Sequence, residues 1–170
     1  METTNLDIYG AAPLPWSRAR DAMEAGLPRM ETPVFLGTTK PDGRPHSAGV
    51  GLLRLDEEIY FTSGPGTRKA RNLAANPACT LSMRLEGLDL VLEGTAERIE
   101  DPELVRRVAE GYAAGGWPAE ADGAALTAPF SAPSAGPPPW HVYRFSPDVA
   151  FGVASAEPHG ATRWTFGEGG

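Results

Sequence analysis

Cysteine is nearly absent. Cys79 is the only one in 170 residues, so no disulfide within the chain can staple the fold, and a reducing compartment, the cytoplasm, is the expected setting. Cys79 itself lies in an apolar run and reads as a core residue. Long hydrophobic runs are absent too: no stretch approaches the ~18 apolar residues of a membrane helix. The opening residues, Met1 to Asp7, lack the basic region and apolar block of a secretory signal. Positive charge is in deficit, with 15 Lys and Arg against 22 Asp and Glu and a net charge of −7. That balance argues against nucleic acid or an anionic membrane as the main partner. The histidines, His46, His141 and His159, are scattered without ligand spacing, and no metal site is expected. There is no Ser-His-Asp pattern and no Gly-x-Ser-x-Gly elbow. Gly64-Pro65-Gly66 lacks the βαβ flanks of a dinucleotide fingerprint.

What is present suits one domain spanning 1–170, with 41% apolar residues for a core and 20 glycines and 17 prolines for many turns. Residues 1–31 read as an extended arm (1–13) and a helix from Trp16 to Ala25. Residues 32–100 read as the core strands. Thr32–Thr39 and His46–Leu55 flank the Lys40-Pro41-Asp42-Gly43 turn, and Glu58–Ser63 follows Asp56-Glu57. After an intervening helix, Pro77–Leu85 and Leu88–Ile99 form a second pair. Residues 101–139 read as a helical segment and a Pro-rich loop. Asp101-Pro102-Glu103 is a helix start, Gly115-Gly116 a stop, Trp117–Leu126 a further helical turn or two, and 128–139 an irregular loop. Residues 140–166 are closing strands: Trp140–Phe145, Val149–Val153 after a Ser146-Pro147-Asp148 turn, and Gly160–Phe166. Trp140 and Tyr143 point to opposite strand faces, with core packing the main reading for both. Hairpin order throughout gives a mainly β chain with flanking helices (α+β) and an antiparallel barrel.

The helix from Thr67, ending before Pro77, organises the function. The turn before it, Gly64-Pro65-Gly66, reads as glycines taking backbone angles that other residues avoid. Arg68, Lys69 and Arg71 then crowd a helix N-terminus, where each cation is unfavourable by roughly 0.3–1 kcal/mol. A phosphate would reverse the sign, because free backbone N–H groups, the helix dipole and the Arg and Lys donors would all point at it. The alternative is a solvated basic helix end. The acidity of the rest of the chain favours the phosphate.

Several motifs together resemble the pyridoxamine 5′-phosphate oxidase-like superfamily. They are Ile59-Tyr60-Phe61-Thr62-Ser63, Thr67-Arg68-Lys69-Ala70 through Asn76-Pro77, Leu90 to Arg98, and Gly43-Arg44-Pro45, covering roughly residues 32–100. The resemblance implies a split β-barrel that forms a homodimer, with a flavin-type cofactor held between the subunits. It implies that Arg68 and Lys69 bind the flavin phosphate beside Thr67, supported by Arg71 and Asn72, and that Phe61 and Thr62 line the cofactor. His46 begins the strand that runs along the flavin ring and ribityl chain. Asp89 falls where the oxidases carry a glutamine near the flavin. The Lys69-Ala70-Arg71-Asn72-Leu73 run and the Ala161–Phe166 segment look like the deazaflavin branch, so the cofactor is FMN or coenzyme F-420. Arg163-Trp164-Thr165 lacks the His of the Arg-x-His pair that ends the true oxidases, which argues against pyridoxamine phosphate as substrate.

The implied function is an FMN- or F-420-dependent oxidoreductase moving hydride between the cofactor and a small conjugated organic substrate. The cofactor supplies the chemistry and the protein supplies position and electrostatics. The alternatives are a non-catalytic FMN- or F-420-binding protein and, ranked lower, a haem-binding relative.

Overall fold

The computed structural model describes residues 1–29 and 31–167. Met30 and 168–170, which the expected domain span includes, lie outside the described residues. The strands are β1 (Glu2–Asn5), β2 (Val34–Thr39), β3 (Pro45–Gly49), β4 (Leu53–Leu55), β5 (Glu58–Ser63), β6 (Ala78–Leu85), β7 (Leu88–Ile99), β8 (Glu120–Asp122), β9 (Ala125–Thr127), β10 (His141–Ala154) and β11 (Ala161–Thr165). The helices are α1 (Trp16–Gly26), α2 (Arg68–Ala75) and α3 (Pro102–Ala114), with a short 3₁₀ turn at Pro133–Ala135.

One antiparallel sheet runs β1-β11-β10-β7-β6-β2-β3, and β5 pairs with both β10 and β4. Strand alternation sets its core. Cys79, Leu81, Met83 and Leu85 of β6 face inward with Leu88, Leu90 and Leu92 of β7, as the two-residue period of a strand requires. Each of these Leu and Met side chains contributes about 1.5–3 kcal/mol by leaving water. Ala19 and Met23 on α1, with Leu27 just past its end, cap this core. A second apolar cluster lies on the other side of β5 and β10, where Val105, Val108, Ala109 and Tyr112 of α3 pack on Tyr60, Ile99 and Val142. The start of α3 is as its sequence demands: the Asp101 side chain accepts from the Glu103 N–H at 3.0 Å, with Pro102 in the first turn.

The antiparallel, mainly β architecture agrees with the sequence reading, but the barrel does not close. The strands come round from β4 through β5, β10, β7, β6 and β2 to β3, and β3 and β4 are not paired with each other. The expected single strand His46–Leu55 is broken at Val50-Gly51-Leu52 into these two pieces. The break is the split in the barrel.

Other expectations change. The N-terminal arm is partly a strand, β1, paired with β11 in the register Glu2 to Thr165. Trp117–Leu126 is not helical: β8 and β9 form a hairpin around Gly123, whose φ of +61° suits a tight Asp-Gly turn. The alanines there mimic a helix in composition alone. Ser146-Pro147-Asp148 does not end a strand. β10 runs through it with a register shift between Pro147 and Val149 against β7, and a bulge is one of the few places where a sheet tolerates proline. The bend hands β10 from β5, paired at His141–Phe145, to β11, paired at Val149–Val153.

Candidate functional site

α2 is placed by three local interactions. Thr67 caps it, its Oγ1 accepting from the Ala70 N–H at 3.2 Å. The Ser63 and Thr67 hydroxyls lie 2.7 Å apart. Asn72, 1% exposed, donates from Nδ2 to Thr38 Oγ1 on β2 at 3.0 Å. Cross-strand register sets Thr38 opposite His46 on β3. Two buried polar atoms in this corner lack partners among the described residues: Asn72 Oδ1 and His46 Nδ1. Buried orphan atoms of this kind are uncommon in folded proteins.

The corner is cationic. Arg68 lines a surface cleft of about 360 Å³ with Lys40, Pro41, Asp42 and Arg44. The Arg44 guanidinium pairs with Asp42 at 2.6 Å. Lys40, Arg68 and Arg71 form no ion pair among the described residues. Burial, then the charges of Lys40, Lys69 and Arg68, hold the His46 imidazole below its ordinary pKa. His46 is therefore neutral at pH 7 and its corner is short of negative charge. That composition fits the phosphate end of a flavin-type cofactor: a donor-rich helix start, exposed guanidinium groups and buried polar atoms without partners.

Beside it, a groove of about 960 Å³ opens at the split in the barrel. Its walls include Phe35, Gly49, Val50, Gly51, Leu52 and Leu53, with Thr62 and Tyr112, and with Ala132 and Ser134 on the far side. The exposed β3 edge runs from the cationic corner at Pro45 to this groove at Gly49. Four residue steps of strand cover about 13 Å, on the scale of a ring with a ribityl-phosphate tail. Arg54 at the groove margin is committed to Glu57 and, at 4.0 Å, to Glu24.

The expected site residues are brought together in part. Thr67, Arg68, Asn72 and His46 share the corner, Arg71 is exposed on α2, and Thr62 lines the groove. Phe61 is 0% exposed and stacks on Tyr143 at 5.2 Å inside the core, so its side chain does not face the groove. Asp89 pairs with Arg84 at the far end of the β6–β7 hairpin, roughly 20 Å of strand from α2. Lys69 is 2% exposed, and its ammonium donates to the Ser134 carbonyl at 2.5 Å. The phosphate contact that the resemblance implies for it would require that bond to give way. Burial lowers its pKa. Lys40 was not among the expected residues. Its place in a Lys-Pro-Asp-Gly turn was the available signal, because that turn delivers it to the start of α2.

An open antiparallel barrel, with an apolar groove at its split and a cationic helix start beside it, defines the class as a mainly β split-barrel protein. Residues 19–151 match the pyridoxamine 5′-phosphate oxidase family. The chain belongs to that family. No curated protein matches it. Among solved structures, a pyridoxamine 5′-phosphate oxidase-related, FMN-binding protein from Nostoc punctiforme aligns with a TM-score of 0.63 and 15% identity, covering 92% of this chain and 94% of that one. PhzG from Burkholderia lata, in complex with tetrahydrophenazine-1-carboxylic acid, gives a TM-score of 0.57 at 16% identity, with 90% and 85% covered. General Stress Protein 26 from Bacillus anthracis gives 0.55 at 15% identity, with 88% and 99% covered. Likeness at these identities establishes the fold. No helix among the described residues is long and apolar enough to cross a membrane.

Proposed function

We propose that the chain binds FMN or coenzyme F-420 and serves as an oxidoreductase moving hydride between that cofactor and a small conjugated organic substrate. The observation that carries this reading is a set of cations without ion-pair partners among the described residues, Lys40 and Arg68 lining one cleft at the start of α2 and Arg71 exposed three residues on, in a chain of net charge −7. Arg68, Lys40 and the backbone N–H groups opening α2 would hold the phosphate. Asn72 Oδ1 and His46 Nδ1, each buried without a partner among the described residues, suit hydroxyl groups of the connecting chain, which can both donate and accept. The groove takes the ring and keeps water from its face. Once bound, the cofactor supplies the hydride chemistry, and no side-chain nucleophile is needed.

The working unit in this reading is a homodimer. Phe35 and Phe130 stand 50% and 57% exposed at the groove, where a second copy would cover them. Asp89 would reach the site only from that second copy. Light scattering at micromolar concentration tests this, and a monomer contradicts it. The cofactor is tested by fluorescence titration with FMN and separately with F-420: saturable binding of one supports the reading, and binding of neither overturns it. Steady turnover with the reduced cofactor and an electron acceptor then separates an enzyme from a carrier.

A further inference from the structure

The segment 131–136 crosses the start of α2 and is fastened there by unusually close contacts. The Gly64 N–H donates to the Ala135 carbonyl at 2.8 Å. A β-carbon on Gly64 would sit 2.5 Å from that oxygen and 3.3 Å from the Pro137 oxygen. Gly64 is not among the glycines of positive φ, so close approach, rather than the backbone freedom expected from the sequence, demands glycine here. The indole N–H of Trp140 donates to the Gly136 carbonyl at 2.9 Å, and that of Trp117 to the Phe130 carbonyl at 2.6 Å. The remaining tie is Lys69 to the Ser134 carbonyl. Ser134 and Ala132 are at the same time wall residues of the apolar groove.

Lys69 thus joins two parts of the site. Its neighbour Arg68 faces the cationic cleft, while Lys69, about 100° further round the helix, turns inward. A buried ammonium without an acceptor is strongly unfavourable. The Ser134 carbonyl supplies the acceptor, and the charge makes that hydrogen bond stronger than a neutral one. We propose that Lys69 is a positioning residue: it holds the 131–136 strap as a wall of the groove and so sets the ring end of the site from the helix that binds the anion. The proposal rests on the cofactor reading given above, in which the groove takes the ring.

The test compares Lys69→Met, Lys69→Arg and Gly64→Ala with the unaltered chain. Circular dichroism and thermal melting establish that each is folded. Hydrogen exchange of the 131–136 amides is measured without any ligand, and FMN, F-420 and inorganic phosphate are titrated separately, the phosphate through the His46 imidazole resonances. The expected result is that Lys69→Met speeds strap exchange and weakens the bound cofactor, each by roughly tenfold or more, while phosphate affinity stays within about twofold. Lys69→Arg, which keeps the donor and the charge, restores most of both losses. Gly64→Ala, which pushes the strap off while leaving Lys69 in place, reproduces the Lys69→Met pattern. Unchanged strap exchange in Lys69→Met overturns the proposal. So does a loss of phosphate affinity that matches the loss of cofactor affinity, because Lys69 would then be a direct phosphate ligand. If Lys69→Met does not fold, Gly64→Ala and Lys69→Arg carry the same comparison. Should the unaltered chain bind neither cofactor, the cofactor reading falls, and the ligand-free exchange still decides whether Lys69 holds the strap.

Discussion

Two arginine-rich regions of this molecule use the same side chains to opposite ends. On the outer face around α3, arginines are answered within the chain. Arg106 pairs with Glu103 and Glu110, Arg107 with Asp56, and Arg144 with Glu58 and Glu97. At the start of α2, Arg68 and Arg71 have no such partner among the described residues, and two buried polar atoms of the same corner, His46 Nδ1 and Asn72 Oδ1, are unsatisfied as well. The first region is a solvated surface whose charges are locally neutralised and worth little individually. The second keeps its charges available to a molecule from outside. Pairing, and not arginine content, distinguishes these two regions.

The strongest way to break this contrast is to remove one arginine from each region. Arg68→Ala is expected to weaken binding of the phosphate-bearing cofactor by roughly 10- to 100-fold, the worth of a hydrogen bond to a charged group, with the melting temperature nearly unchanged. A fluorescence titration measures it. Salt gives a smaller effect. Raising ionic strength from about 0.05 M to 0.5 M shortens the screening length severalfold, so cofactor affinity should fall a few-fold in the unaltered chain and little in Arg68→Ala.

Acid sharpens the comparison further. His46 has a folded-state pKa below its ordinary value, so the unfolded chain binds its proton more readily. Stability contributed at this site is intact above pH ~6.5 and declines as pH falls below it toward the folded pKa. Thermal melting of the ligand-free chain between pH 7.5 and 5.5 should show this decline. It should lessen in His46→Gln and in the presence of phosphate, whose charge raises the imidazole pKa; a decline of the same size in His46→Gln counts against the assignment. The smallest expected effect is that of Arg106→Ala, which should leave cofactor affinity unchanged and alter melting only slightly.

Much of the cationic corner was legible locally. Thr67 as a cap, a helix ending before Pro77 and Arg68 at its start are all short-range signals, and an anion site at a helix N-terminus follows from them. The fate of Lys69 was not legible, because its acceptor lies 65 residues away and only tertiary packing brings it there. Phe61 and Thr62 stand side by side in sequence, yet the strand turns one into the core and the other into the groove. The run Trp117–Leu126 misled through its alanines, with the Asp122-Gly123 turn as the overlooked signal. Ser146-Pro147-Asp148 misled because turn chemistry and bulge chemistry use the same residues. The split itself, at Val50-Gly51-Leu52, depends on β3 and β4 failing to pair, which no local pattern announces.

The central claim is that the unpaired cations at the start of α2 hold a phosphate. The most direct measurement is a matched titration of FMN against riboflavin, and of F-420 against its phosphate-free deazaflavin core, with the unaltered chain and with Arg68→Ala. For whichever ring binds, the expected result is a preference for the phosphate-bearing form of roughly 10- to 100-fold that collapses in Arg68→Ala and persists in Arg106→Ala. Equal affinity for the phosphorylated and phosphate-free forms, or a preference that survives the loss of Arg68, would contradict it.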